Sequence, residues 1–164
     1  MIENPDWLPP MIPVNGDWNQ VLAGLYTVFE KDFKQTKCKF GSIDVWWDRR
    51  ILENECYEEG FWHLITRINK KTKERLFDPR RAERLPWCAP VIANASDKEV
   101  KVWDFREGKG NIRAYLWLEE WDYVVILAKR KLSFGNAIFL STAYYVDGDY
   151  QRRVLQRKYS NREA

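Results

Sequence analysis

Apolar side chains recur at helical spacing after Asp17. In WNQVLAGLYTVFEKDFKQ, Val21, Leu22, Leu25, Val28, Phe29 and Phe33 share one face, and Asp17 supplies an N-cap. Upstream, Pro5, Pro9, Pro10 and Pro13 predict an extended arm over residues 1–17, packed across the domain by Trp7, Leu8 and Ile12. SIDVWWDRRIL alternates near its start and predicts a strand. YEEGFWHLITRI, opened by Gly60, is rich in β-formers and predicts a clearer one, and NKKTKERLF reads as an exposed basic turn or hairpin tip. Asp78 followed by Pro79 starts a helix, PRRAERL, that breaks or kinks near Pro86 before a short piece in WCAPVIANAS.

The pattern then changes to period two. VKVWDFRE, IRAYLWLEE, YVVILAKRK and NAIFLSTAYYV are strand-like runs with short breakers between them, which favours antiparallel neighbours. YVVILA is apolar at both parities, as a central strand covered on both faces must be. The tail, DYQRRVLQRKYSNR, predicts a basic helix. This order predicts an α+β domain spanning residues 1–164, with N-terminal helices packed on one face of a twisted, mainly antiparallel sheet of about four strands.

Charge changes this picture more than composition does. The net charge of +3 conceals two basic blocks: residues 63–84 hold eight Lys+Arg against three Asp+Glu, and residues 129–162 hold eight against two. Folded together they make one positive cleft; held apart they are two solvated surfaces. Nine Trp, eight Tyr and eight Phe suit either a core or base stacking. Cys38, Cys56 and Cys88 form no CxxC pair, which argues for a reducing, cytoplasmic setting. No run is long enough to span a membrane, and the N-terminal stretch lacks the pattern of a signal peptide. Neither a Gly-rich phosphate loop, HExxH, GxSxG nor a His/Cys cluster occurs, so no cofactor or metal site is expected.

Three stretches carry candidate chemistry. His63 is the sole histidine. On a strand it would share a face with Phe61, Ile65 and Arg67, with Arg67 about 13 Å along the same groove. It serves either as an ordinary half-buried residue or as a general acid or base. In DPRRAER, helical spacing puts Arg80 and Arg84 on one face with Arg81 beside them, where arginine forks match phosphate oxygens. In LAKRKLSFGNAIFLSTAYY, Lys129, Arg130 and Lys131 end the central strand, and the next strand carries Ser141, Thr142, Tyr144 and Tyr145. Strict alternation directs Ser141 and Tyr145 to one face and Thr142 and Tyr144 to the other.

The order HLITR, DPRRAERLPW, sheet strands, FLSTAYY resembles the phage-associated members of the superfamily uniting barnase, EndoU, the tRNA-cleaving colicins and RelE (the BECR fold), over roughly residues 60–160. That resemblance implies metal-independent cleavage of RNA by attack of the 2′-hydroxyl, in a phage or prophage toxin or effector with an immunity or antitoxin partner. Carried over, His63 matches the strand histidine, Arg80, Arg81 and Arg84 the helix cations, and Ser141 and Thr142 the hydroxyl pair of the last strand. Several branches use two histidines, so the second proton-transfer role here falls to Lys129, Arg67, Tyr144 or water, or is absent. The expected catalytic group is His63, Arg84, Lys129 and Ser141, with Arg67, Arg80, Arg81, Thr142 and Tyr144 binding substrate. The same basic blocks and aromatics would also suit a non-catalytic nucleic-acid-binding module. A phage structural or partner-binding protein would instead use the acidic N-terminal third and the Trp-rich faces.

Overall fold

The computed structural model describes residues 2–163. Helix α1 (Trp18–Phe29) starts where Asp17 accepts a hydrogen bond from the Gln20 amide, and it runs on into a π-helical turn (Glu30–Gln35). Val21, Leu25, Phe29 and Phe33 are buried along its length, as their spacing predicts. The Pro-rich arm lies against the helices. Leu8 is buried, the Trp87 indole donates to the Pro9 carbonyl at 2.8 Å, and the Ile12 amide donates to the Glu83 carbonyl at 2.9 Å.

Strands β1 (Lys39–Phe40) and β2 (Ile43–Trp46) precede helix α2 (Glu59–Ile65), which leads directly into β3 (Thr66–Ile68). Strand β4 (Arg75–Phe77) pairs with β3 in a separate two-stranded hairpin whose tip is the basic turn expected from NKKTKER. Asp78 caps α3 (Pro79–Glu83) by accepting from the Arg81 amide, and α4 (Leu85–Ala93) follows after the break expected before Pro86. The four predicted meander strands are β5 (Lys101–Glu107), β6 (Asn111–Leu118), β7 (Tyr123–Leu132) and β8 (Gly135–Tyr145), and α5 (Gly148–Ser160) closes the chain.

The main sheet is larger than the expected four strands: its order is β1-β2-β8-β7-β6-β5. β2 pairs parallel with β8 while its other neighbours are antiparallel. A parallel pair requires a long crossover, and here α2, α3, α4, the hairpin and the first three strands of the meander lie between the two partners.

Helices α1, α2 and α4 cover one face, where Leu116, Leu118, Val125 and Leu127 are fully buried. Burying each such side chain contributes about 1.5–3 kcal/mol. Helix α5 covers part of the other face, over Trp103, Tyr115, Trp117, Val124 and Ile126. YVVILA is therefore apolar at both parities because helices sandwich β7.

The segment GFWHLI is helical, not extended. Phe61, Leu64 and Ile65 recur at three- and four-residue spacing and enter the core together, whereas a strand would have split them between faces. Its start is fixed by close approach. The Gly60 amide donates to the Asp48 carbonyl at 2.8 Å, and a β-carbon on Gly60 would sit 3.0 Å from that oxygen and 3.0 Å from the Trp47 ring. Gly60→Ala is expected to destabilise the fold by about 1–3 kcal/mol, the usual cost of overpacking, read as a lower thermal midpoint with unchanged secondary structure.

Candidate functional site

A cleft of about 820 Å³ opens where the β3–β4 hairpin, α2 and α3 meet the edge of β8. Because β2 pairs only with Ile138 and Phe139, the later half of β8 has no strand neighbour on that side, and α2 and α3 pack there instead. The lining holds His63, Thr66, Ile68, Asn69, Ser141, Thr142 and Gln151 together with four cations, Arg67, Lys70, Lys71 and Arg81, and no carboxylate.

Arg81 builds this cleft. Its side chain is largely buried, and Nη1 donates to the carbonyl oxygens of Thr66 (2.7 Å) and His63 (3.2 Å) and to Thr142 Oγ1 (3.4 Å). It therefore satisfies carbonyls at the C-terminus of α2, where the helix leaves them without partners. Burial pulls its pKa below the ordinary arginine value, partly offset by Asp78, whose Oδ2 lies 3.8 Å from Nε. Arg67, more exposed, lies 3.9 Å from the same carboxylate.

His63 stands at the last turn of α2 with its side chain 45% exposed. Its Nε2 is 3.5 Å from Oε2 of Glu59, one turn earlier. Glu59 is buried, and it makes a two-pronged pair with Arg75 of β4, at 2.6 and 3.3 Å. Partial burial lowers the His63 pKa, with Glu59 and Asp48 raising it and Arg75 and Arg81 lowering it further. The imidazole is thus held mainly neutral near pH 7, the form that accepts a proton.

Ser141 and Thr142 both face the cleft, against the strict alternation expected of them. The register of β7 against β8 shifts between Ile126, opposite Thr142, and Leu127, opposite Leu140, so Ser141 is the extra residue of a β-bulge. A bulge re-aims the side chain that it carries. Ser141 Oγ accepts a hydrogen bond from Arg113 Nη1 at 2.7 Å. Arg113 in turn pairs with Glu107, which also takes the Lys158 ammonium at 2.9 Å and the Tyr115 hydroxyl. Burial and Glu107 hold the Tyr115 phenol well above its ordinary pKa.

The structure thus brings His63, Arg67, Arg81, Ser141 and Thr142 together and separates the other expected residues from them. Arg84 is only 7% exposed: it packs 4.4 Å over the Tyr145 ring and bonds Glu83 at 2.7 Å and the Arg80 carbonyl at 3.0 Å, so it cannot reach a substrate. Arg80 is exposed but lies over Tyr145, outside the cleft lining. Lys129 falls in a second, larger groove of about 1240 Å³ on the helix-covered face, and its ammonium is tied to Asp104 at 2.8 Å. Tyr144 is half-buried beneath Arg81, its phenol pKa raised by burial.

Sequence reasoning passed over Glu59, Arg75 and Arg113. The i,i+4 spacing of Glu59 and His63 carries a signal only when that segment is read as helix. Arg75 and Arg113 give none without the pairing of strands. Among the described residues, no group of three or more His, Cys, Asp and Glu side chains gathers to hold a metal ion, and no helix is long and apolar enough to cross a membrane. Compared with protein-family models, curated proteins and solved structures, the chain matches none of them.

The single imidazole makes a direct measurement simple. Its proton NMR signal should titrate below the ordinary histidine value of about 6.5. Glu59→Gln removes the carboxylate that raises it and should move the titration lower still. Because unfolded chain binds that proton at higher pH than folded chain, stability should fall as pH drops from about 6.5 through the folded value. His63→Gln should remove that part of the slope in urea titrations at successive pH values.

Proposed function

We propose that the protein cleaves RNA by attack of a ribose 2′-hydroxyl on the adjacent phosphate, leaving a 2′,3′-cyclic end. The observation that carries this reading is the meeting of one imidazole, four cations and the hydroxyls of Thr66, Ser141 and Thr142 in a cleft whose lining has no carboxylate. The reading keeps His63, Arg81, Ser141 and Thr142 from the family resemblance and Arg67 from its place near His63, and drops Arg84 and Lys129 from the reacting group.

The reaction needs a base at the 2′-oxygen, a proton for the leaving 5′-oxygen, and positive charge around the phosphorane. Neutral His63 takes the 2′-proton. With one imidazole in the chain, the leaving oxygen receives its proton from the imidazolium so formed or from water. Arg81, whose Nη1 is occupied by carbonyls, has its guanidinium plane already fixed, so it meets developing negative charge without reorganising. Arg67, Lys70 and Lys71 flank the cleft from the hairpin and suit neighbouring phosphates. Ser141 and Thr142 offer hydroxyl donors to phosphate oxygens. A toxin or effector role with an immunity or antitoxin partner rests on the resemblance alone.

A second reading is favoured by one observation: the cleft holds a single acid–base group. In that reading the same surface binds RNA without cutting it. Cleavage of mixed RNA in EDTA separates the two. His63→Ala is expected to slow cleavage by about 10²- to 10⁴-fold and to leave cyclic-phosphate products scarce. Wild type that binds RNA but yields no cyclic ends, or a variant as fast as wild type, would falsify the catalytic reading.

The logarithm of the affinity should fall linearly with the logarithm of salt concentration, and Arg67→Ala should reduce that slope by about 0.7 on single-stranded RNA, the value for one phosphate contact. Filter binding across a salt series measures this. An unchanged slope removes Arg67 from the phosphate path.

A further inference from the structure

The face of the sheet that carries α5 is only partly covered. Beyond the α5 cluster, one row of side chains crosses four strands. Trp46 of β2 stands opposite Phe139 of β8, Phe139 opposite Ala128 of β7, and Ala128 opposite Arg113 of β6. Trp46 is 46% exposed, and its ring centroid lies 6.4 Å from that of Phe139 at an interplanar angle of 35°. Cations frame the pair: the Arg130 guanidinium sits 4.9 Å over Phe139 and that of Arg49 sits 5.6 Å over Trp46, and both arginines are exposed.

Position along β8 links this patch to the cleft. Phe139 precedes Ser141 by two residues, a step of about 6–7 Å along the strand. Ser141 lines the cleft and bonds Arg113, the last member of the aromatic row. The bulge at Ser141 joins the two surfaces, because it brings Thr142, opposite Ile126, onto the face on which Phe139 and Arg113 stand.

We propose that Trp46 and Phe139 form a stacking platform for an unpaired base of a single-stranded nucleic acid, whose backbone runs along β8 into the His63 cleft. Every base offers a π-face, so such a platform tolerates sequence, while Arg49 and Arg130 answer the phosphate charge. A base-paired duplex hides those faces, so the platform selects unpaired segments. The idea rests on the cleft as a nucleic-acid site but does not depend on cleavage there.

The test uses the full chain and a short fluorescent oligothymidylate, which lacks the attacking 2′-hydroxyl. Fluorescence anisotropy gives its affinity for wild type and for Trp46→Ala, Phe139→Ala and Trp46→Phe. Each alanine variant is expected to bind roughly 5- to 150-fold more weakly, the range for loss of one stacked base, with Trp46→Phe close to wild type. Affinity for a blunt duplex should be the same in all four proteins. Because Trp46 is exposed, Trp46→Ala should keep the wild-type melting temperature, which separates lost stacking from lost fold.

Equal oligonucleotide affinity for wild type and Trp46→Ala overturns the platform, whether or not RNA is cleaved. Trp46-dependent binding by a protein that never cuts RNA upholds the platform and removes only the catalytic reading. A wild type that ignores the oligonucleotide but self-associates through Trp46 overturns the platform in favour of a protein contact.

Discussion

One guanidinium holds the candidate site together. Arg81 starts on α3, reaches the carbonyls that end α2 and open β3, and touches the hydroxyl of Thr142 on β8. These elements belong to different layers of the fold, and Arg81 bonds to all of them at the corner where α2 and α3 pack on β8. A buried carbonyl left without a partner costs about 1–3 kcal/mol, so the position of Arg81 is fixed by what it satisfies. The same constraint presents a positive charge to the cleft. Stability and electrostatics therefore draw on one side chain, and the helix that carries His63 is set against the sheet by the group that would meet a phosphate.

The second constraint is the buried carboxylate of Glu59. An uncompensated charge there would be costly, and Arg75 supplies the compensation from the hairpin strand β4. This pair fastens the basic hairpin to α2 and so forms one wall of the cleft. It also places a carboxylate oxygen 3.5 Å from the His63 imidazole. Partial burial still wins, and the imidazole stays easier to deprotonate than a free histidine. Arg84 illustrates the opposite outcome: a cation on the neighbouring helix is consumed by packing on Tyr145 and by pairing with Glu83.

The aromatic residues divide along the same lines. Trp47, Trp87, Trp103 and Trp117 are buried in the two clusters that flank the sheet, so much of the unusual Trp count serves the core. Trp46 ends β2, and Trp47 follows it with the opposite parity. Trp47 turns into the face covered by α1, α2 and α4 and Trp46 onto the other, where the α5 cluster lies over β5, β6 and β7 and leaves the β2–β8 border bare. Strand alternation and the placement of α5 thus convert an ordinary pair of tryptophans into one core residue and one exposed ring.

Sequence alone determined the elements whose pattern is long or chemically marked. The amphipathic α1, the Asp78-Pro79 helix start, the basic hairpin tip and the four meander strands are all written in local spacing and turn chemistry. It also named five of the residues that line the cleft. The tertiary structure decided the rest. Seven residues around His63 are short enough to fit strand or helix, and only the core contacts of Phe61, Leu64 and Ile65 choose the helix. The bulge at Ser141 exists only against β7, and Arg84 is withdrawn from the cleft by Tyr145, a residue far along the chain. Local preferences act within a few residues, whereas burial, pairing and strand register are settled between segments that the chain itself keeps far apart.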